Sequence, residues 1–320
     1  MYIVTGAAGF IGSEIVKALN DRGVTDILAV DDLSNGQKIF NLNDCRFSDY
    51  MDMDDLLDAM EGNAFGKVTA ILHQGACSDT MEYDGRYMMD VNFSYSKQVL
   101  NYAAANRIPL VYASSASTYG NNTTFVEDPE NEKPINVYAF SKYAFDMHVR
   151  SRMKYLESTV VGLRYFNVYG VRETFKGRMA SMVYQLYKQL RNTGVAKLFE
   201  GTDGYPDGGQ ERDFVFVGDV AKVNLFFAQG PARQGIFNTG TGAARSFNDI
   251  ANTLIKLMGK GRIEYIPFNA TLKGKYQSFT QADVSALRAA GYSAPFATLE
   301  QGIEECYGQW EARAGAMPED

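Results

Sequence analysis

The chain opens with YIVTGAAGFIGSEIVKALNDRG, and the glycines in that stretch limit the possible folds more than any other feature. A β-rich run ends at Gly6, Gly9 and Gly12 follow at three-residue steps, and apolar residues then recur with helical period up to Gly23. A strand can pass this abruptly into a helix only where glycine allows a tight turn. The first turn of that helix then presents unpaired backbone N–H groups. The chain therefore approaches an anion with its backbone, and G-x-x-G-x-x-G in this setting predicts a pyrophosphate cradle. The same heptad elsewhere would be only a turn. Asp31 lies 19 residues after Gly12, at the end of a second apolar run, ILAVDD. A carboxylate there accepts from an adenosine ribose hydroxyl, whereas Asp32 reads as a turn residue. Dinucleotide binding is the prediction.

Downstream, apolar runs alternate with helical patterns. DMDDLLDAME reads as a helix, VTAILHQGA as a strand and YMMDVNFSYSKQVLNYAAAN as one long helix. PLVYASSA is a strand, NVYAFSKYAFDMHV a helix and TVVGLRYFNVYG a strand. This alternation predicts a Rossmann-type, doubly wound α/β fold, with a parallel sheet covered on both faces. After Gly170 the style changes to a loop and helix, a short strand KLFEG, and a Gly/Pro/Asp-rich break, TDGYPDGGQ. Strand–helix character returns in RDFVFVGDVAKVNLFFAQ and GIFNTGTG, and Ser246 is placed to cap the helix in SFNDIANTLIKLMG. The expected domains are a dinucleotide-binding unit over residues 1–170 plus about 213–245, and a smaller discontinuous α/β lobe over 171–212 and 246–320.

Composition removes several chemistries. His73 and His148 are the only histidines, and Cys45, Cys77 and Cys306 are scattered. No metal site, disulfide framework or Ser-His-Asp triad is expected from so few. A formal charge of −7 argues against nucleic acid as a partner. No apolar run reaches the length of a membrane helix, and MYIVTGAAGF lacks the basic start of a signal peptide, so a cytoplasmic protein is expected. Acid–base work then falls to Tyr, Lys, Ser or carboxylates. NVYAFSK sets Tyr138 four residues before Lys142, one turn apart on a helix. Such a pair is ordinary on an isolated helix and becomes chemistry beside a nicotinamide. A free phenol titrates near ~10, an adjacent ammonium lowers that, and a serine hydroxyl orients the substrate oxygen. YASSASTYG ends the preceding strand and offers Ser114, Ser115 and Ser117.

TGAAGFIG, HQGACS, YASSASTYG and YAFSK together resemble the extended short-chain dehydrogenase/reductase superfamily. Across essentially the whole chain, FGKVTAILHQGACSDTMEYDGRYMMDVN, RYFNVYG, KGRMAS, ERDFVFVGDV, GIFNTGTG and KGKYQSFTQADVSALRAAGY resemble the ADP-L-glycero-D-manno-heptose 6-epimerase family. The resemblance implies Ser115, Tyr138 and Lys142 as a Ser-Tyr-Lys set, with Lys176 as a second acid–base residue. It implies NADP rather than NAD, lined by Gly6, Gly9, Phe10, Ile11, Gly12, Asp31, Asp32, Lys38, Gly75, Ala76, Cys77, Ser78, Asn92 and Val168 along with Tyr138 and Lys142. An ADP-heptose would face Ser115, Asn167, Lys176, Arg178, Gln185, Phe199, Glu200, Gly201, Thr202, Arg212 and Tyr276. A homo-oligomer, a pentamer, is implied as well. Two positions depart from the family pattern. Val171 stands where proline is common, and Met53 stands where some members carry a lysine near the adenosine 2′-phosphate, leaving Lys38 as the cation there.

The implied reaction follows from the carbon concerned. C6 of the heptose bears a hydroxyl with no adjacent carbonyl, so its hydrogen is not acidic and inversion requires transient oxidation to a 6-keto sugar. Three alternatives share parts of this pattern. A nucleotide-sugar 4,6-dehydratase needs an Asp-Glu pair after the serine, where this chain has Ala116 and Ser117. A UDP-hexose 4-epimerase is the nearest enzyme alternative. A non-catalytic, cofactor-sensing regulator would tend to lose the Tyr-x-x-x-Lys pair that stands intact here.

Overall fold

The computed structural model describes residues 1–268 and 277–314. In chain order the elements are β1 (Tyr2–Thr5), α1 (Phe10–Asn20), β2 (Ile27–Asp31), β3 (Asp49–Asp52), α2 (Met53–Glu61), β4 (Ala70–His73), α3 (Gly85–Met89), α4 (Tyr95–Ala105), β5 (Leu110–Ser115), α5 (Val137–Arg152), β6 (Val160–Tyr165) and β7 (Asn167–Tyr169). There follow α6 (Met182–Thr193), β8 (Val195–Phe199), β9 (Glu211–Phe216), α7 (Val217–Gln229), β10 (Gln234–Thr239), β11 (Ala244–Ser246), α8 (Phe247–Met258), β12 (Arg262–Ile266), α9 (Ser285–Ala289) and α10 (Leu299–Ala314). The main sheet is parallel and seven-stranded, in the order β10-β6-β5-β4-β1-β2-β3. Winding runs outward from β1 through β2 and β3, then returns to β4 on the other side of β1. This reversal opens a crevice beyond the carboxyl ends of β1 and β4.

Both sheet faces are covered, which is why its strands are almost continuously apolar. Ile15, Val16 and Leu19 of α1 pack with Val220, Val223 and Phe227 of α7 on one face. Leu56, Val99, Leu100, Phe145 and Val149 from α2, α4 and α5 close the other. A separate core joins α6, α8 and α10 around Phe214, Phe216 and Leu198. Two small sheets belong to it, β11-β9-β7 and β12-β8. Ser246 caps α8 as expected, within a reciprocal capping box with Asp249.

Two runs that read as single elements are divided. TVVGLRYFNVYG becomes β6 and β7, which belong to different sheets. Tyr165 is the last residue in register with β10, and the backbone turns at Phe166, where Val168 N–H bonds the Phe166 carbonyl. β7 then pairs with β9, carrying the chain from the main sheet to the smaller core. The long helix predicted over 87–106 contains a widened turn at Asp90–Ser94, where Tyr95 N–H bonds back to Asp90. Widened turns of this kind displace side chains from the regular helical stripe. Here the displaced residue is Asn92.

Arg164, on β6, is completely enclosed and is met by carboxylates on both sides. Its Nε and Nη2 donate to Asp146 Oδ2 at 3.0 and 2.9 Å, and Nη2 also donates to Glu132 Oε1 at 2.6 Å. Arg150 closes the network with a bidentate contact to Glu132. Truncating the cation would strand buried carboxylates. Arg164→Ala should therefore cost about 3–5 kcal/mol in unfolding free energy. Urea denaturation would measure it, and a loss below about 1 kcal/mol would remove this network from the supports of the fold.

Candidate active site

The crevice holds a cleft of about 890 Å³ that runs from the glycine loop to the smaller core. Its floor is the turn from β1 to α1. Gly6 has φ +66°, and a Cβ on Gly12 would lie 2.0 Å from the Gly6 carbonyl oxygen. Only bare backbone fits there. The first turn of α1 carries no acidic residue, and Gly9 supplies no side-chain cap. The N–H groups at this helix start, with its dipole, thus suit a phosphate. Asp31 shapes the loop directly: Oδ2 accepts from Ala8 N and Gly9 N at 2.7 and 3.1 Å, while Oδ1 accepts from Asp32 N and Lys38 Nζ at 2.8 and 2.9 Å. Lys38 also donates to the Asp32 carbonyl at 2.7 Å. Asp32 is the turn residue, with its carboxylate on Ser34 N–H and Oγ–H. These residues fit a dinucleotide.

One wall is the contact between β5 and α5. Asn136 caps α5 by accepting from Ala139 N–H, which starts the helix so that Tyr138 and Lys142 face β5. The Tyr138 phenol lies beside the Ser115 hydroxyl, which itself accepts from Ser117 N–H and Oγ–H at 3.1 and 2.9 Å. Lys142 is 6% exposed and its ammonium donates to the Ala113 carbonyl at 3.0 Å. Burial pulls its pKa down to about 8, opposed by Asp146 and Cys77. Burial also holds the Tyr138 phenol above its usual range, against the influence of the neighbouring Ser115 hydroxyl. The expected lowering by Lys142 is therefore not what the structure gives: loss of water dominates, and the opposing influence comes from Ser115. His73, at the end of β4, is a structural histidine. It bonds Thr5 Oγ1 and Ser96 Oγ, and burial, then the Lys142 charge, lowers its pKa to about 3.

The far wall comes from the 3-10 turn Thr174–Met179 ahead of α6. Lys176 places its ammonium 5.2 Å from the centre of the Phe10 ring, beside the glycine loop. Burial lowers its pKa, and the Glu173 carboxylate opposes the shift. Glu173 is itself buried, accepting from Gly170 N–H, Ser181 N–H and Ser181 Oγ–H. The turn is tied to the other side of the cleft through Asn41, whose Nδ2 donates to the carbonyls of Ala8 and Arg172. Arg212 lines the cleft with its guanidinium 5.7 Å from the Phe247 ring.

Most of the residues singled out from the sequence meet in this cleft: the loop glycines, Phe10, Ile11, Asp31, Asp32, Lys38, Gly75 to Ser78, Ser115, Tyr138, Lys142, Asn167, Val168, Lys176 and Arg212. Asn92 stands behind it. From the widened turn it accepts from Cys77 N–H and donates to the Cys77 carbonyl and Ser141 Oγ, pinning the 75–78 loop to α5. Arg178 is 72% exposed and pairs with Asp79 at 2.8 Å. Gln185 donates to the Gly177 carbonyl, Phe199 ends β8 and Glu200 to Thr202 follow it, all outside the cleft lining. Tyr276 lies outside the described residues. Ser114 and Ser117 line it beside Ser115, and the lining also includes Thr5, Gln74, Tyr165, Gln277 and Thr280, to which the motifs assign no role. Thr5, Gln74 and Tyr165 could have been found from position, since they end or directly follow parallel strands at the crevice edge.

The model of the NAD dependent epimerase/dehydratase family matches residues 2–240. The structure superimposes on the ADP-L-glycero-D-manno-heptose-6-epimerase of Helicobacter pylori with a TM-score of 0.83 and 30% identity, covering 97% of this chain and 96% of that one. It is similar also to the UDP-glucose 4-epimerase of Thermotoga maritima, at 26% identity over 98% and 99% of the two chains, with a TM-score of 0.80. The UDP-N-acetylglucosamine 4-epimerase of Methanobrevibacter ruminantium shares the fold, with a TM-score of 0.84 at 24% identity over 98% of each chain.

The Lys142 ammonium exists below its pKa and is lost above it. With that pKa lowered to about 8, turnover should decline as pH rises through about 8, well before an ordinary lysine would titrate. Lys142→Arg keeps a cation at all these pH values, so its residual activity should lack this limb. A wild-type kcat profile flat to about pH 10 would contradict the assignment.

Proposed function

The chain belongs to the NAD dependent epimerase/dehydratase family, and we propose that it inverts C6 of ADP-D-glycero-D-manno-heptose to give the L-glycero epimer, a lipopolysaccharide inner-core precursor, with NADP bound throughout. The whole-chain likeness to the Helicobacter pylori heptose epimerase supports the substrate. The observation that carries the reading is the pairing of two protonatable groups in one cleft, Tyr138 on α5 and Lys176 on the turn ahead of α6. A bound nicotinamide would supply a reversible two-electron acceptor on one side of the sugar. Inversion requires the C6 carbinol to become a ketone and to be reduced from its other face, so the sugar end must turn over. That motion takes the C6 oxygen away from Tyr138, and a second donor must meet it. Lys176, with its pKa lowered by burial, can give and take that proton nearer neutrality than a surface lysine.

Ser115 orients the substrate oxygen and the phenol, and the N–H groups of the first turn of α1 hold the cofactor diphosphate. The enzyme works in the cytoplasm as a homo-oligomer. The competing reading is a UDP-hexose 4-epimerase, favoured by the likeness to the Thermotoga maritima enzyme. Incubating the protein with ADP-D-glycero-D-manno-heptose and with UDP-glucose, and following each by NMR, separates the two. Product from UDP-glucose alone would overturn the heptose assignment.

Two predictions follow from the roles assigned. Tyr138→Phe and Lys176→Met should each bind ADP-heptose yet lose at least ~100-fold in epimerisation rate. A Lys176→Met rate within a few-fold of wild type would return Lys176 to an ordinary lysine. Lys38 carries the choice of NADP, because its ammonium is the cation at the cleft end that Asp31 and Asp32 make negative. Lys38→Ala should weaken NADP about tenfold more than NAD, measured by fluorescence titration. Equal weakening, or NAD carried by the purified protein, would remove the NADP assignment.

A further inference from the structure

Three residues of α5 at successive turns, Tyr138, Lys142 and Asp146, meet three consecutive residues of β5. Tyr138 lies beside Ser115, Lys142 Nζ donates to the Ala113 carbonyl, and Asp146 Oδ2 accepts from Ser114 Oγ at 2.8 Å. Asp146 Oδ1 also accepts from the Tyr112 phenol at 2.9 Å, one residue further back on β5. Both residues of each of the first two rungs line the cleft, as does Ser114 of the third. Asp146 itself is wholly enclosed and outside the lining, and its charge is met by Arg164 from β6. Beyond it, charges alternate in sign from the cleft to the far side of α5: Lys142, Asp146, Arg164, Glu132, Arg150.

We propose that Asp146 is a positioning residue for the hydride-transfer site, locking the register of α5 against β5 and supplying the buried negative charge that faces Lys142. The proposal rests on the reading of Ser115, Tyr138 and Lys142 given above. A helix that slid along β5 by part of a turn would separate the phenol from the Ser115 hydroxyl. A neighbouring apolar contact resists such sliding weakly, because it has no direction. A carboxylate held by Tyr112, Ser114 and Arg164 at once resists it strongly, since any displacement leaves a buried polar group unpaired. The charge matters separately. The groups facing Lys142 are Asp146 and Tyr138 from α5, Cys77 from the loop after β4, and His73 from β4, which burial keeps neutral. Asp146 is the charged carboxylate of this set, and its attraction opposes the burial that would otherwise strip the Lys142 proton.

The test compares kcat against pH for wild type, Asp146→Asn, Ser114→Ala and Tyr138→Phe, using ADP-D-glycero-D-manno-heptose or UDP-glucose, whichever the wild type turns over. Asp146→Asn keeps the shape and removes the charge. Its alkaline limb should move about one pH unit lower, with KM within about threefold of wild type. Ser114→Ala keeps the charge and removes one hydrogen bond of the third rung. Its kcat should fall about tenfold with the limb unmoved. A folded Asp146→Asn with the wild-type limb overturns the electrostatic role. Wild-type kcat in Ser114→Ala overturns the register role, and this variant decides the matter if Asp146→Asn does not fold. Full turnover in Tyr138→Phe would instead overturn the catalytic reading beneath the proposal. A dead Tyr138→Phe beside an unshifted Asp146→Asn would sink the proposal alone.

Discussion

The buried guanidinium of Arg164 is the contact from which the geometry around the cleft hangs. It is enclosed between β6, α5 and the segment that carries Glu132, and it finds carboxylates at Asp146 and Glu132 in place of water. Ion pairs this deep add little net stability, because the desolvation of both partners offsets their attraction. What they do is penalise displacement. Once the network forms, α5 cannot shift along β5 without stranding a charge, and so Tyr138 stays against Ser115. The Tyr119 ring, 4.9 Å from the same guanidinium, brings the turn after β5 into the arrangement.

The cleft lies where it does because of sheet winding. Reversal of the winding around β1 separates the loops that follow β1 and β4, and a parallel sheet points all its carboxyl ends to that edge. Thr5, Asp31, Ser115 and Tyr165 each stand at such an end, and all line the cleft. The opposite wall arrives by a different route. β7 leaves the main sheet to pair with β9, and the following turn is fastened back by Asn41 and by Arg172, whose guanidinium reaches Glu14 and Asp44. That fastening brings Lys176 over Phe10. Tyr138 and Lys176, the two groups proposed to exchange protons with the sugar, thus stand on two independently built walls.

Much of this was legible in the chain itself. The glycine spacing, the strand–helix alternation, the Ser246 cap and the Tyr138/Lys142 step depend on neighbours within a turn or two, and such short-range patterns survive into the fold unchanged. Asp32 as a turn residue is of the same kind. The division of TVVGLRYFNVYG between two sheets is not, because continuity in sequence says nothing about which strand offers its edge. The burial that raises the Tyr138 phenol and lowers Lys142 was equally hidden, since it comes from packing by β4, β5 and the loop after β4.

By itself the sequence determined that a dinucleotide-type glycine turn opens an α/β fold, that a tyrosine and a lysine share one helical face, and that histidine and metal chemistry had few residues to draw on. Only the tertiary structure decided that Asn92 braces the cleft from behind, that Arg178 meets Asp79, that Lys142 reaches the Ala113 carbonyl, and that Asp146 is held by Arg164. Each of these pairs residues distant in the chain. Their meeting follows from closure of the sheet and its helices, where loss of water favours partners for buried polar groups that local sequence does not name.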